Sequence, residues 1–382
     1  MMLQRGHPPV MIVTCEYAPF PGGIGTYAVE LATALVSSGH RVIVVAAAYD
    51  GAEMLPAGIE HHLILRHHKV PLAAAPRLLG VLRRLPSDTI VLAADIRSLL
   101  VLRMLQPFHG LRYRVMVHGS EASKFRRGSA MFAIVRRAYL AAELVTYNSQ
   151  ATRDIFRAQI GQPVREAITY LGVGREWFAP PAAGAFEHQA LASVPDGPLF
   201  CSVGRLEPRK GHLDTIAALA RARDGHGMAD PVYVVVGRAE DDGYAQAIAE
   251  AGRAHRVRTV LAGRLSVDDI KRVYARAAAN LLFARALPGK IEGFGLVLVE
   301  AAAQGCPSIA ASVGGIPEVL GETGALVAPD DLDRFAARIA EFAGNAAART
   351  ARGAAARARA ERFTWAACAR TTFPELFAGV AA

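Results

Sequence analysis

Twice along this chain, short apolar runs alternate with amphipathic, helix-length stretches, and the alternation breaks once, between Trp177 and Pro198. Apolar runs of roughly four to eight residues between helical stretches are the pattern of parallel strands joined by crossover helices, whose sheet is covered on both faces. The first series is Val10–Cys15, Arg41–Ala48, Ile90–Ala93, Tyr113–Val117, Leu144–Tyr147 and Ala167–Leu171. A helix is expected from Thr26 to Ser38, closed by Gly39 where a helix C-terminal glycine belongs. The second series is Leu199–Val203, Val232–Val236, Thr259–Ala262, Ala279–Phe283, Ser308–Ala310 and Gly324–Val327. One long Ala/Arg-rich helix is expected from Asp331 to Arg362.

This rhythm predicts an α/β protein of two Rossmann-like domains with parallel sheets facing a central cleft. The first spans 1–180 and the second 199–364. The stretch 181–198, with Pro181, Pro195 and Pro198 among Ala and Gly, is expected to be the linker. The final segment, 365–382, is expected to pack back on the first domain. Open α/β sheets bind ligands at the carboxyl ends of their strands, so the cleft is the expected site.

With 382 residues, 52 % hydrophobic and 20 % charged, the chain is long and apolar enough for two cores. No stretch approaches the roughly 18 apolar residues of a membrane span, and Met1 to Pro9 lacks a cleavable signal pattern. Cys15, Cys201, Cys306 and Cys368 are scattered, with neither metal spacing nor a disulfide framework, which fits a cytoplasmic protein. The net charge of +9 is uneven: residues 1–180 hold 20 Lys+Arg against 12 Asp+Glu, and residues 181–382 hold 23 against 22. A basic field attracts anionic partners. Nucleic acid is not expected, for want of a helix-turn-helix, zinc or aromatic stacking module.

Five segments invite chemistry. After the first strand, Gly22-Gly23-Ile24-Gly25-Thr26 lets main chain approach a ligand at a helix N-terminus, where negative charge is favoured. Read alone it is equally a tight connection. It lacks the G-x-G-x-x-G spacing, and Ala46-Ala47-Ala48 supplies no acid after the second strand, so a nicotinamide cofactor is disfavoured. His118, in His118-Gly119-Ser120-Glu121, follows a strand at the cleft edge, where both carbonyl and ring could face a ligand; a structural histidine fits as well. In Val203-Gly204-Arg205-Leu206-Glu207-Pro208-Arg209-Lys210-Gly211, Arg205 and Lys210 could aim at one diphosphate, one as a fork and one as a point charge, unless the loop is merely solvated. In Glu292-Gly293-Phe294-Gly295-Leu296-Val297-Leu298-Val299-Glu300, a carboxylate in an apolar stretch needs a partner, for which a ribose diol is suited; two ordinary helix-flanking acids are the alternative. Ser312-Val313-Gly314-Gly315-Ile316-Pro317-Glu318 reads as a turn to which no chemistry is assigned.

In this order, with Leu171-Gly172-Val173-Gly174-Arg175-Glu176-Trp177-Phe178-Ala179-Pro180 and Gly263-Arg264-Leu265-Ser266, these segments resemble glycosyltransferase family 4, the retaining GT-B enzymes, along nearly the whole chain. The resemblance implies that Arg205 and Lys210 hold the diphosphate of a nucleotide-sugar and neutralise the leaving group. It implies that Glu300 binds ribose, that Glu292 contacts the transferred sugar beside the amides of Gly293, Phe294 and Gly295, and that Leu265, after Gly263, lies near the base. Gly204 frames the diphosphate loop, the main chain at Gly22 and Gly23 approaches the phosphate, and His118 faces the anomeric centre. No metal and no cofactor are implied. One segment departs from the family pattern: a longer loop, Phe283 to Ile291, precedes Glu292 and is similar to that of some mannosyltransferases that make phosphatidylinositol mannosides.

The expected reaction is retaining transfer of a hexosyl group (mannose, glucose or N-acetylglucosamine type) from a UDP- or GDP-sugar to a hydroxyl acceptor. Arg205 and Lys210 act where charge builds on the leaving group. Attack on the same face needs no enzymic nucleophile, since the departing phosphate takes the acceptor proton. Phe125, Gly128, Met131, Phe132, Val135 and Tyr139 form an apolar stripe bordered by Lys124, Arg126, Arg127, Arg136 and Arg137. That is the pattern of an interfacial helix, and equally of a helix packed on its own domain. It suggests peripheral contact of residues 124–139 with an anionic membrane at its inner face, and a lipid-linked or phosphorylated acceptor. A soluble transferase acting on a cyclitol or secondary metabolite is the main alternative, with a nucleotide-sugar 2-epimerase or a silent sugar-nucleotide binder behind it.

Overall fold

The computed structural model describes residues 7–18, 22–49, 55–66, 70, 72–119, 121, 125–192, 194, 197–239 and 241–378. Ser120, Lys124 and Pro195, named above, lie outside the described residues. The chain divides into two compact units, residues 1–172 with 364–382, and residues 173–363.

The first unit holds a seven-stranded sheet in the order β3-β2-β1-β4-β5-β6-β7. Its strands are β1 (Val10–Val13), β2 (Val42–Ala47), β3 (Glu60–Leu65), β4 (Ile90–Ala93), β5 (Tyr113–Val117), β6 (Leu144–Tyr147) and β7 (Glu166–Ile168). Every pairing is parallel. The helices are α1 (Gly23–Ser37), α2 (Ala75–Leu82), α3 (Ile96–His109), α4 (Ala130–Leu140) and α5 (Gln150–Gln159). β1 lies inside the sheet between β2 and β4 and is wholly apolar, and its four residues are fully buried, as a strand covered on both faces requires. β3 was not expected from sequence. It is an edge strand of sequence Glu-His-His-Leu-Ile-Leu, buried only at Leu65, so its apolar run is only the three residues Leu63 to Leu65.

The C-terminal helix α14 (Trp365–Thr372) belongs to this unit and lies against α1. Arg114 of β5, 5 % exposed, anchors it. Its Nη1 donates to the Thr372 carbonyl at 2.7 Å, and its Nη2 pairs with Glu375 at 2.6 Å. Where the chain leaves the unit, a Cβ on Gly172 would fall 2.2 Å from the Trp365 nitrogen, so only glycine fits there.

The second unit holds a six-stranded parallel sheet in the order β10-β9-β8-β11-β12-β13. Its strands are β8 (Leu199–Val203), β9 (Val232–Val236), β10 (Arg258–Gly263), β11 (Ala279–Leu282), β12 (Ser308–Ala311) and β13 (Ala325–Val327). Its helices are α6 (Gln189–Ala192), α7 (His212–His226), α8 (Asp242–Ala254), α9 (Val267–Arg276), α10 (Leu296–Ala303), α11 (Ile316–Leu320), α12 (Leu332–Gly344) and α13 (Ala346–Ala360). In both sheets the order reverses beside the first strand, between β1 and β4 and between β8 and β11. The loops that leave those strands therefore border a switch-point crevice.

Two expectations change. The chain passes between units at Gly172–Val173, and the stretch expected as a linker groups with the second unit. There, the buried carboxylate of Asp269 on α9 accepts from the main-chain N–H of Glu187 at 3.1 Å and of His188 at 3.0 Å. The long helix expected from Asp331 to Arg362 is two helices, broken at Gly344-Asn345, where Asn345 turns its side chain onto the Ala348 N–H at 2.9 Å to cap the second. Asparagine competes for main-chain hydrogen bonds in just this way.

Candidate functional site

Helices α1, α7, α10 and α11 begin at Gly22, Gly211, Gly295 and Gly315, none of which supplies a side-chain cap. By contrast, Asp95, Ser129, Ser149 and Ser266 cap their own helices. The first-turn N–H groups of an uncapped helix stay available to an anion or a neighbouring loop. Four of the five segments marked in the sequence thus sit at uncapped helix starts on the carboxyl side of their sheets.

The densest chemistry lies in the second unit, where the loops after β8 and β11 meet. Gly211, at φ 69°, makes the turn into α7, and a Cβ there would fall 1.9 Å from the Phe283 carbonyl oxygen. The Arg285 N–H donates to the Arg209 carbonyl at 2.8 Å. These contacts fix the short helical turn Pro208–Lys210 against the loop that leads to Glu292. Glu292 Oε2 accepts from Lys210 Nζ at 2.6 Å and from Arg209 Nη1 at 2.5 Å. All three side chains are largely buried. Burial pushes the Glu292 carboxyl up, but the charges of Lys210 and Arg209 outweigh it and hold the group at about 2. It is therefore ionised at neutral pH.

Arg205 stands one step out. Its Nη2 lies 3.6 Å from Glu207 Oε1, its side chain is 56 % exposed, and the same Glu207 oxygen lies 2.7 Å from Arg209 Nη2. The structure thus joins Arg205, Lys210 and Glu292 into one network through Glu207 and Arg209. Neither of those two was singled out from sequence, although the adjacent Arg209-Lys210 pair was a visible sign. Gly314 and Gly315 were also passed over. The Gly315 N–H donates to the Glu292 carbonyl at 2.9 Å, and a Cβ on Gly314 would fall 2.1 Å from that oxygen. The fifth segment holds the main chain of Glu292 in place.

Gly293 and Phe294 are buried, with the Phe294 ring edge-to-face on Phe363 at 5.7 Å, and Gly295 turns into α10 at φ 88°. Glu300 lies further along α10 and is half-buried. Burial, with the charge of Glu176 adding to it, pushes its carboxyl up to about 7. No cation among the described residues pairs with it. Gly204, at φ 136°, forms the turn above Lys210, and Gly263, at φ 64°, ends β10 beside the half-buried Leu265.

In the first unit the structure brings His118 to the Gly22-Gly23 helix through Tyr27, whose ring meets the His118 ring edge-on at 4.9 Å. His118 Nε2 lies 3.0 Å from the Ala94 carbonyl, an acceptor, so that nitrogen carries the proton. The His118 carbonyl accepts from Asn148 Nδ2 at 2.7 Å. Of the two ligand-facing groups expected at His118, the carbonyl is thus already engaged within the unit, and the ring Nδ1 has no hydrogen-bond partner among the described residues. Among the described residues, nothing within 4 Å would meet a Cβ on Gly23.

The stripe expected to face a membrane is largely the inward face of α4. Val135 and Tyr139 are buried, Phe125 and Phe132 pack against the core, and Gly128 precedes the helix. The outward apolar residues are Met131 and Ile134, 46 % and 49 % exposed, near the exposed Arg126, Arg127 and Arg137. No helix among the described residues is long and apolar enough to cross a membrane.

Comparison with known proteins bears on the family and the fold. Residues 21–175 match the model of Glycosyltransferase Family 4, and residues 185–359 match that of Glycosyl transferases group 1. The chain is 28 % identical over 364 residues to the GDP-mannose-dependent alpha-(1-6)-phosphatidylinositol monomannoside mannosyltransferase of Mycobacterium tuberculosis, covering 91 % of this chain and 92 % of that one. It is 31 % identical over 244 residues to the D-inositol 3-phosphate glycosyltransferase of Kribbella flavida, covering 60 % of this chain and 54 % of that one. In fold it is similar to sucrose-phosphate synthase from Thermosynechococcus elongatus, with a TM-score of 0.76, 20 % identity, and coverage of 97 % and 100 %. It is likewise similar to Anabaena HepE in complex with UDP and glucose, with a TM-score of 0.78, 18 % identity, and the same coverage. The two family matches together span most of the chain on a GT-B pair of Rossmann-like units, and the chain belongs to glycosyltransferase family 4, as a glycosyltransferase that draws on a sugar-nucleotide donor.

Proposed function

We propose that this enzyme is a retaining, metal-independent hexosyltransferase that moves a mannose-, glucose- or N-acetylglucosamine-type group from a UDP- or GDP-sugar to a hydroxyl acceptor. The observation that carries this reading is the convergence of Lys210 and Arg209 on Glu292, from loops more than eighty residues apart, within 2.6 Å. A buried cation beside an ionised carboxylate serves two neighbouring parts of a donor. Lys210 and Arg205 bind the diphosphate and stabilise the charge that develops on it as the glycosidic bond breaks. Glu292 Oε1, which neither cation takes, accepts from sugar hydroxyls, with the main chain of Gly293, Phe294 and Gly295 beside it. Glu300 binds the ribose hydroxyls, and Gly263 and Leu265 border the base. In the first unit, the α1 amides at Gly22 and Gly23 bind phosphate and His118 contacts the reacting sugar. The acceptor attacks from the face the leaving group departs, and the departing phosphate takes its proton.

The test is donor hydrolysis and transfer with UDP-glucose, UDP-N-acetylglucosamine, GDP-mannose and an ADP-sugar. Arg205→Ala is expected to lower kcat by about 10² to 10³, as loss of one preorganised donor does, with a much smaller change in nucleotide affinity. Near-normal turnover would contradict the role of Arg205. The acceptor reading rests on Met131, Ile134 and their neighbouring arginines, which support peripheral contact with an anionic bilayer and a lipid-linked or phosphorylated acceptor. Co-sedimentation with phosphatidylglycerol vesicles, lost at high salt and absent with phosphatidylcholine, is the expected result. Indifference to both, with transfer to a free cyclitol, would favour a soluble small-molecule acceptor.

A further inference from the structure

The two cations at Glu292 share one carboxylate oxygen and are held in different ways. Arg209 is fixed at both ends: Nη1 lies on Glu292 at 2.5 Å, Nη2 lies on Glu207 at 2.7 Å, and its carbonyl accepts from the Arg285 N–H at 2.8 Å. Among the described residues, Lys210 has one ion-pair partner, Glu292. Its Nζ lies 3.9 Å from where a Cβ on Gly204 would stand, just beneath that turn. Arginine is a planar fork, whereas lysine is a point charge on a flexible stem. Lys210 can therefore leave Oε2 by side-chain torsion, while Arg209 cannot turn without also releasing Glu207.

An arriving diphosphate competes with Glu292 Oε2 for the Lys210 ammonium. If Lys210 turned to it and nothing else faced Glu292, a buried carboxylate would lose its counter-ion, and burial would favour the protonated acid. Among the described residues, the charged groups paired with Glu292 are Lys210 and Arg209, both from the loop after β8. From the α11 side, Gly314 and Gly315 meet the Glu292 main chain.

We propose that Arg209 is a positioning residue for sugar transfer, keeping Glu292 charged and its Oε1 aimed at the donor sugar while Lys210 turns from Oε2 to the donor diphosphate. This rests on the reading of Lys210 and Glu292 as donor-site residues.

The experiment measures kcat and KM from pH 5 to 8 for full-length wild type, Arg209→Met, Arg209→Lys and Glu292→Gln. The donor is whichever of UDP-glucose, UDP-N-acetylglucosamine and GDP-mannose the wild type turns over. Arg209→Met is expected to lower kcat by about 10²-fold at pH 5, the cost of a misplaced group, and by less at pH 8. Its KM should change by less than about threefold, because Lys210 is intact. A new acid limb should enter the kcat profile, displaced upward by about 1 to 3 pH units, the usual effect of one lost counter-ion. Arg209→Lys should recover most of the rate and push the limb back down. If Arg209→Met does not fold, Glu207→Gln releases the far end of the same guanidinium and should move the limb in the same direction. A wild-type profile in the Arg209 variants, alongside an inactive Glu292→Gln, would overturn the proposal and leave the donor-site reading standing. Wild-type turnover in Glu292→Gln would overturn both.

Discussion

Replacing Glu292 by glutamine keeps the shape of the side chain and one acceptor oxygen but removes the charge that Lys210 and Arg209 surround. The Glu292 carboxyl is held at about 2 against an ordinary 4.5. That difference corresponds to about 3 kcal/mol, at 1.36 kcal/mol per pH unit. Because the folded value is the lower one, the stabilisation is fully present above pH 4.5 and is lost as the pH falls through about 2. At pH 3 about 1 kcal/mol of it remains. For a unit the size of residues 173–363, each kcal/mol moves the thermal midpoint by about 2 to 4 °C. Glu292→Gln should therefore melt about 6 to 12 °C below wild type at pH 7, and the gap should shrink to less than half of that at pH 3. Scanning calorimetry of the full-length pair at both pH values reads this directly in the transition of the second unit. Equal midpoints at pH 7 would mean that the three side chains are not paired in solution. A gap that stays constant on acidification would mean that the charge of Glu292 is not what stabilises the loop.

Two further perturbations separate ligand binding from folding. The Glu300 carboxyl, pushed up to about 7 by burial with Glu176 adding to it, lowers stability progressively as the pH rises from its unfolded value through 7, so Glu300→Gln should melt above wild type at pH 8 and level with it below pH 4. If ribose hydroxyls donate to the ionised carboxylate, titration calorimetry should show wild-type affinity for the preferred nucleotide rising about tenfold from pH 6 to 8, with Glu300→Gln flat. Gly211→Ala places a Cβ 1.9 Å from the Phe283 carbonyl in a left-handed conformation, and should cost at least about 2 kcal/mol in thermal unfolding. Gly23→Ala meets no described residue within 4 Å; its midpoint should move by less than about 2 °C, while kcat falls at least about tenfold if phosphate approaches that main chain.

Most of the strands were legible because a strand buried on both faces must be apolar along its whole length, as Val10–Val13 and Val232–Val236 are. β3 was hidden because an edge strand needs apolar side chains on few positions, and its Glu60, His61 and His62 gave no run to find. The break at Gly344-Asn345 was lost among good helix formers on either side, since its signal is a single cap. For the site, spacing and glycines marked Arg205, Lys210, Glu292 and Glu300, but Glu207 and Arg209 looked like ordinary charges of a solvated loop.

The sequence by itself determined two parallel α/β sheets, which loops leave their central strands, and which helices start without a side-chain cap, because each of these depends on residues close together in the chain. Only the tertiary structure decided that Lys210 and Arg209 meet on one oxygen of Glu292, that Gly314 and Gly315 grip its carbonyl, and that the chain passes between units at Gly172. Those contacts depend on how β8, β11 and β12 stand side by side in the sheet, an order set by packing and by the burial of charge between distant loops, which no local pattern encodes.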